Sequence, residues 1–248
     1  MHVDASERSA DCAPFAALLY DAPSLPTLVD FEREVARGSA FSLSHSPDAA
    51  EGWAEVLRDG LTFDLHGLAG GPPQSLPELK AGVGIGVDRL ADMAALTLAP
   101  GPHLAGARKF LPVIRVAANL LIELARIGPA TAIAWLPAKL LVRIDLFERA
   151  VRPWLDGGPF PAPAFVALQA GSSGGLRTEG LNFFIEQEFV LQSGPEFDPA
   201  LLPRVAIRLI DWLVAHGPVS IPTEAVLAGT GAVFLEVQDK GLILARCD

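Results

Sequence analysis

Residues 165–192 read FVALQAGSSGGLRTEGLNFFIEQEFVLQ, and the fold class turns on how this stretch is parsed. Phe165–Gln169 is an apolar run of strand length, Gly171–Gly175 is a flexible turn, and Leu181–Gln192 reads as a long strand. Two runs joined by a glycine-rich turn predict a β-hairpin. Along the second run, the period of two sets Phe184, Glu186, Glu188 and Val190 on one face. Phe183, Ile185, Gln187, Phe189 and Leu191 fall on the other. Antiparallel sheet therefore dominates this part of the chain.

Downstream, Asp198-Pro199 is a helix start, and Leu202, Val205, Ala206, Leu209 and Leu213 form its apolar face before Gly217-Pro218 closes it. The chain finishes with Ala232–Val237 and Leu242–Ala245, joined through Asp239-Lys240-Gly241 as a second hairpin. Upstream, Met93–Leu98 and Ala130–Leu136 read as strands. Pro112 opens a helix whose Val113, Val116, Ala117, Leu120, Leu124 and Ile127 share a face, stopped by Gly128-Pro129. Asp145–Leu155 predicts a helix burying Phe147, Ala150, Val151 and Trp154. Near the N-terminus, residues 14–20 form a buried strand, 26–37 an amphipathic helix and Phe41–His45 a strand. Ser46-Pro47 reads as the start of a helix carrying Trp53, Val56 and Leu57 and ended by Asp59-Gly60, and Leu61–His66 as a strand.

Gly67–Gly86, rich in glycine and proline, is expected to separate an N-terminal half, 13–80, from a C-terminal domain, 87–248, with 1–12 as a flexible tail. The order of elements predicts an α+β fold, a mostly antiparallel or mixed sheet with helices on one face, or two similar α/β halves.

Half of the 248 residues are hydrophobic and 19% are charged, which excludes a disordered chain. The formal net charge of −10, with no basic cluster, argues against nucleic acid and anionic membrane surfaces as partners. The N-terminus, Met1–Arg8, carries acids before any apolar run, unlike a secretory leader, and the most apolar stretches are broken by charges or proline. Cys12 and Cys247 stand in no redox or metal spacing. These features predict a cytoplasmic protein with no cofactor.

Glu186 and Glu188, on one face of the expected strand, are candidate catalytic residues. Paired carboxylates repel, which raises one pKa for general acid work, and they also suit a divalent ion. The competing reading is a solvent-facing strand with acids outward. His66 and His103 are further candidates if the fold brings them to those glutamates, but no pair of the five histidines has zinc-ligand spacing. Arg177, Thr178 and Glu179 are candidate binding residues. Trp135, at a strand end, is another, at the rim of a pocket, with core packing as the alternative. Gly82–Gly86 lacks the GxGxxG spacing of a dinucleotide loop, and no P-loop or GxSxG elbow is present.

From about Ala94 onward the chain resembles a bacterial domain family of unknown function, the one numbered four-two-six-one. The resemblance rests on the strand ending in Trp135, on Phe165–Leu168, and on Thr178, Gly180, Leu181, Phe184 and Glu188, similar to a Thr-x-Gly-Leu-x-x-Phe motif followed by an acid. Ile185 replaces an expected glycine, and Pro218–Glu224 departs from an expected polar turn. The resemblance implies a stand-alone protein, with some related domains suspected of acting as interaction or immunity modules. The motif also has a physical reading as a packing device, since glycine before a strand admits a close backbone.

The leading functional expectation is a non-enzymatic protein-interaction module working as a homodimer or with another protein. The alternatives are a metal-assisted or acid/base hydrolase using Glu186 and Glu188, and a small-molecule binding module.

Overall fold

The structure, a computed structural model, describes residues 13–247 apart from 23, 172–173, 196 and 240. The expected tail, Cys12 and the Lys240 turn residue therefore lie outside the described residues. Two mixed, largely antiparallel sheets and their helices give the α+β architecture that the element order predicts.

Eight strands form the first sheet: β1 (Ala16–Asp21), β2 (Ser42–His45), β3 (Trp53–Arg58), β4 (Leu61–His66), β5 (Ala81–Val83), β6 (Met93–Pro100), β7 (Ala130–Trp135) and β8 (Leu140–Arg143). Their order is β2-β3-β4-β6-β1-β7-β8-β5, antiparallel throughout except where β5 joins β8. β1 lies deep within the sheet because its run is apolar on both faces, with Ala16, Leu18 and Tyr20 facing one core and Ala17 and Leu19 the other. The first face is covered by α1 (Leu28–Ala36), α2 (Leu111–Leu124) and α3 (Ile144–Leu155). Thr27 and Asp30 form a reciprocal capping box at the start of α1. Arg115 of α2 lies 4.5 Å over the ring of Trp154 in α3, and the largely buried Arg58 pairs with Glu123, tying α2 to β3.

The second face is alanine-rich, with Ala17, Ala95, Ala132 and Ala134, and is overlaid by Leu76, Leu79, Ile85, Val87 and Leu90. Small side chains let irregular backbone lie close to a sheet. Thus the 67–86 stretch, expected to divide two halves, supplies β5 and a strap across this sheet, and the strands flanking it, β4 and β6, are hydrogen-bonded neighbours.

Six strands form the second sheet: β9 (Ala167–Ala170), β10 (Leu176–Glu179), β11 (Glu188–Ser193), β12 (Thr223–Leu227), β13 (Gly231–Asp239) and β14 (Leu242–Cys247). The order is β12-β13-β14-β11-β10-β9, with β11 and β14 parallel. α6 (Leu202–His216) packs on one side through Leu202, Val205, Ala206, Leu209, Ile210 and Leu213. The single helical turn α4 (Ala162–Phe165) lies between the sheets in sequence, α5 (Asn182–Ile185) joins β10 to β11, and both feed one shared core.

Three local readings are corrected. The segment after Ser46-Pro47 is a short 3-10 turn followed by strand β3, not a helix. Trp53, Glu55 and Leu57 alternate with buried Ala54, Val56 and Arg58, so the period is two. Asp59 and Gly60 have φ of 49° and 78°, the left-handed pair of a type I′ hairpin turn rather than a helix stop. Phe165 ends α4 instead of opening a strand, which begins at Ala167. Leu181–Gln192 is not one strand: α5 occupies Asn182–Ile185, Glu186 takes a left-handed φ of 62°, and β11 starts at Glu188. The glycine turn accordingly joins β9 to β10.

Candidate functional site

Thr178, Gly180, Leu181 and Glu188 form one structural unit where β10 turns into α5. Thr178, 1% exposed, accepts a hydrogen bond from the Phe189 N–H at 2.9 Å through Oγ1, and that hydroxyl lies 3.4 Å from the Phe189 carbonyl. The hydroxyl thereby carries the β10–β11 connection past the last paired backbone positions, Arg177 and Val190. Gly180 has φ of 99°, and a Cβ there would lie 2.6 Å from Ala138 Cα, so the position demands glycine. Glu188 closes the turn: its carboxylate accepts from the backbone N–H of Gly180 at 2.7 Å and from those of Leu181 and Asn182 at 3.3 Å.

The proposed carboxylate pair is thus undone. Glu186 is an exposed cap residue of α5, whereas Glu188 is the first residue of β11 with its oxygens turned onto backbone donors. Alternation failed as a guide because Glu186 is itself the left-handed cap of α5 and the strand begins only at Glu188. Gln187 is also pinned, donating to the Val219 carbonyl at 2.9 Å and accepting from the Val219 N–H at 2.7 Å.

Trp135 is fully buried, not at a rim. It packs among Phe15, Phe165, Phe183 and Phe184, with centroid separations of 4.7–6.3 Å, and its indole N–H has no hydrogen-bond partner among the described residues. Aromatic neighbours on every side account for its place in the core.

Arg177, Thr178, Glu179 and Glu188 do come together, with Lys80, Gln169 and Asn182, around a cavity of about 340 Å³. Lys80 arrives from the edge of the first sheet, its N–H bonded to the Lys139 carbonyl at 2.8 Å. Glu179 accepts from Lys139 Nζ at 2.8 Å and from Gln169 Nε2 at 2.6 Å. Burial pushes the Glu179 carboxyl up, but these hydrogen bonds and the charges of Lys139 and Lys80 hold it below its ordinary value. Lys80, Lys139, Gln169 and Asn182 escaped the sequence reading because they come from separate elements and carry no local pattern.

This cavity sits at one corner of the second sheet's face opposite α6. Across that face the register aligns Arg177, Val190, Leu244 and Glu236, and beside them Gln192, Arg246, Phe234 and Glu224. Phe234 and Val226 are 47% and 73% exposed.

A second polar group lies on the first sheet. Trp53 stacks on His66 at 5.8 Å and meets His45 at 5.3 Å, while His103 Nδ1 is 3.2 Å from Thr62 Oγ1. His66 and His103 both act on Asp64, whose carboxyl is raised by burial and by the charge of Glu55, with the two histidines pulling it back. The two histidines therefore act on Asp64, not on the expected glutamates. Among the described residues, no group of three or more His, Cys, Asp and Glu is placed to hold a metal ion, and no helix is long and apolar enough to cross a membrane.

Comparisons of the chain with known protein families, with curated proteins and with solved structures return no match.

Proposed function

We propose that this protein is a cytoplasmic, non-enzymatic protein-interaction module that docks through the face of its six-stranded sheet opposite α6, with a second copy of the chain as its partner. The observation that carries this reading is the composition of that face. Val190 and Leu244 lie mid-face between Arg177 and Glu236, Arg246 and Phe234 form the next row with Glu224 at its edge, and Phe234 and the edge-strand Val226 stand exposed. An apolar centre within a charged rim is the anatomy of a specific interface. Both charge signs occur on the one patch, where Arg246 lies 3.5 Å from Glu236 within the chain, so a two-fold-related copy can set that pair against its own counterpart, as a self-complementary interface requires. The dispersal of Glu186 and Glu188 favours binding over the acid/base hydrolase reading.

The test is substitution within the patch. Phe234→Asp and Leu244→Lys should convert a dimer to a monomer by light scattering, with the far-ultraviolet circular dichroism unchanged. A dimer that persists in both variants would refute docking through this face.

A further inference from the structure

We propose that the cavity between Lys80 and the β9–β10 hairpin is a binding site for a small organic anion, held through a carboxylate or phosphate group. Charge accounting at the site carries the inference. Its two carboxylates are already satisfied from within: Glu179 by Lys139 and Gln169, Glu188 by three backbone N–H groups. Lys80 and Arg177 also line the cavity, and neither makes an ion pair within 4 Å among the described residues. Lys139 stands behind them, paired with Glu179 and within the field of Glu78, so Lys80 and Arg177 are the cations that the cavity itself presents, in a chain whose formal net charge is −10. Cations left unpaired around a concave site in an acidic protein select an anion, and two from opposite sides suit a group that accepts from both.

The remaining lining fits the same ligand. The Asn182 side chain borders the cavity, and Gln169, whose amide nitrogen is engaged by Glu179, keeps its carbonyl oxygen as an acceptor for a hydroxyl or ammonium on the ligand. At about 340 Å³ the space suits a small metabolite and is too small for a folded partner. The walls are anchored: Thr178 is buried and bonded to β11, Gly180 is packed on Ala138, and the Lys80 backbone is bonded to Lys139. Binding therefore requires ordering only the exposed ends of Lys80 and Arg177, which limits the entropic cost.

Isothermal titration of the full chain with succinate and, separately, with inorganic phosphate at low ionic strength tests this. At least one probe should bind saturably with a Kd below about 1 mM, and the tighter one identifies the group. Lys80→Ala and Arg177→Ala should each weaken that binding about tenfold or more, a loss of roughly 1.4 kcal/mol, with the unliganded melting temperature unchanged. Added salt should weaken it too, because both cations are exposed. The proposal falls if neither probe saturates by about 20 mM, or if both variants bind like the wild type. Lys80 lies outside the six-stranded sheet, so loss of anion binding in Lys80→Ala at unchanged molecular mass separates this site from the docking face.

Discussion

Gly180 shows how tightly single residues hold the β10–α5 corner. Its positive φ and the 2.6 Å approach of a would-be Cβ to Ala138 Cα predict that Gly180→Ala destabilises the fold by about 2–4 kcal/mol in urea unfolding. Glu188 should behave as a structural acceptor. Glu188→Ala leaves the part-buried N–H groups of Gly180 and Leu181 without their acceptor and should cost about 1–3 kcal/mol, whereas Glu188→Gln retains one acceptor oxygen and should cost less. Equal losses in the two variants would contradict this role. Asp64 gives the opposite sign. Its folded-state carboxyl is raised, so the ionised form weakens the native state, and stability falls as pH rises through that raised value. Asp64→Asn should melt higher than the wild type at pH 7, and the gap should close as pH drops below the ordinary aspartate range, near pH 4. A gap independent of pH would rule out ionisation as the cause.

Among the elements, those with long periodic patterns were legible in the sequence. α1, α2, α3 and α6 follow their apolar spacing, and β1, β4, β6 and β7 follow their short apolar or alternating runs. β3 was not, because Trp53, Val56 and Leu57 satisfy a helical spacing over five residues although the strand period sets Val56 opposite the other two. What decides between them is nonlocal: β3 is flanked by β2 and β4 and hydrogen-bonded to both. Residues 181–189 misled for a different reason, since Phe183, Ile185 and Phe189 are all buried, but by a helical turn followed by a strand. Of the site, the motif residues and Arg177 were visible, while Lys80 and Gln169 became neighbours only when the edges of the two sheets met. At this scale α6 is the element on which the second sheet depends. Leu209, fully buried on its inner face, should cost about 2–5 kcal/mol when replaced by Ala, lowering the midpoint of a single cooperative transition. A loss below 1 kcal/mol would mean that α6 packs loosely.

The whole molecule combines one sheet covered on both faces with another covered on one. The eight-stranded sheet has helices on one side and the 67–92 strap on the other, so its central strands are sealed. The six-stranded sheet has α6 on one side and, on the other, the mixed apolar and charged face at whose corner the cationic cavity lies. In the proposed dimer, association takes this face out of contact with water. The most direct test of docking through it is the molecular mass of the full chain across a concentration series by analytical ultracentrifugation. The account predicts a species approaching twice the 26.2 kDa of one chain by about 50 μM. A constant 26.2 kDa across the series would contradict it.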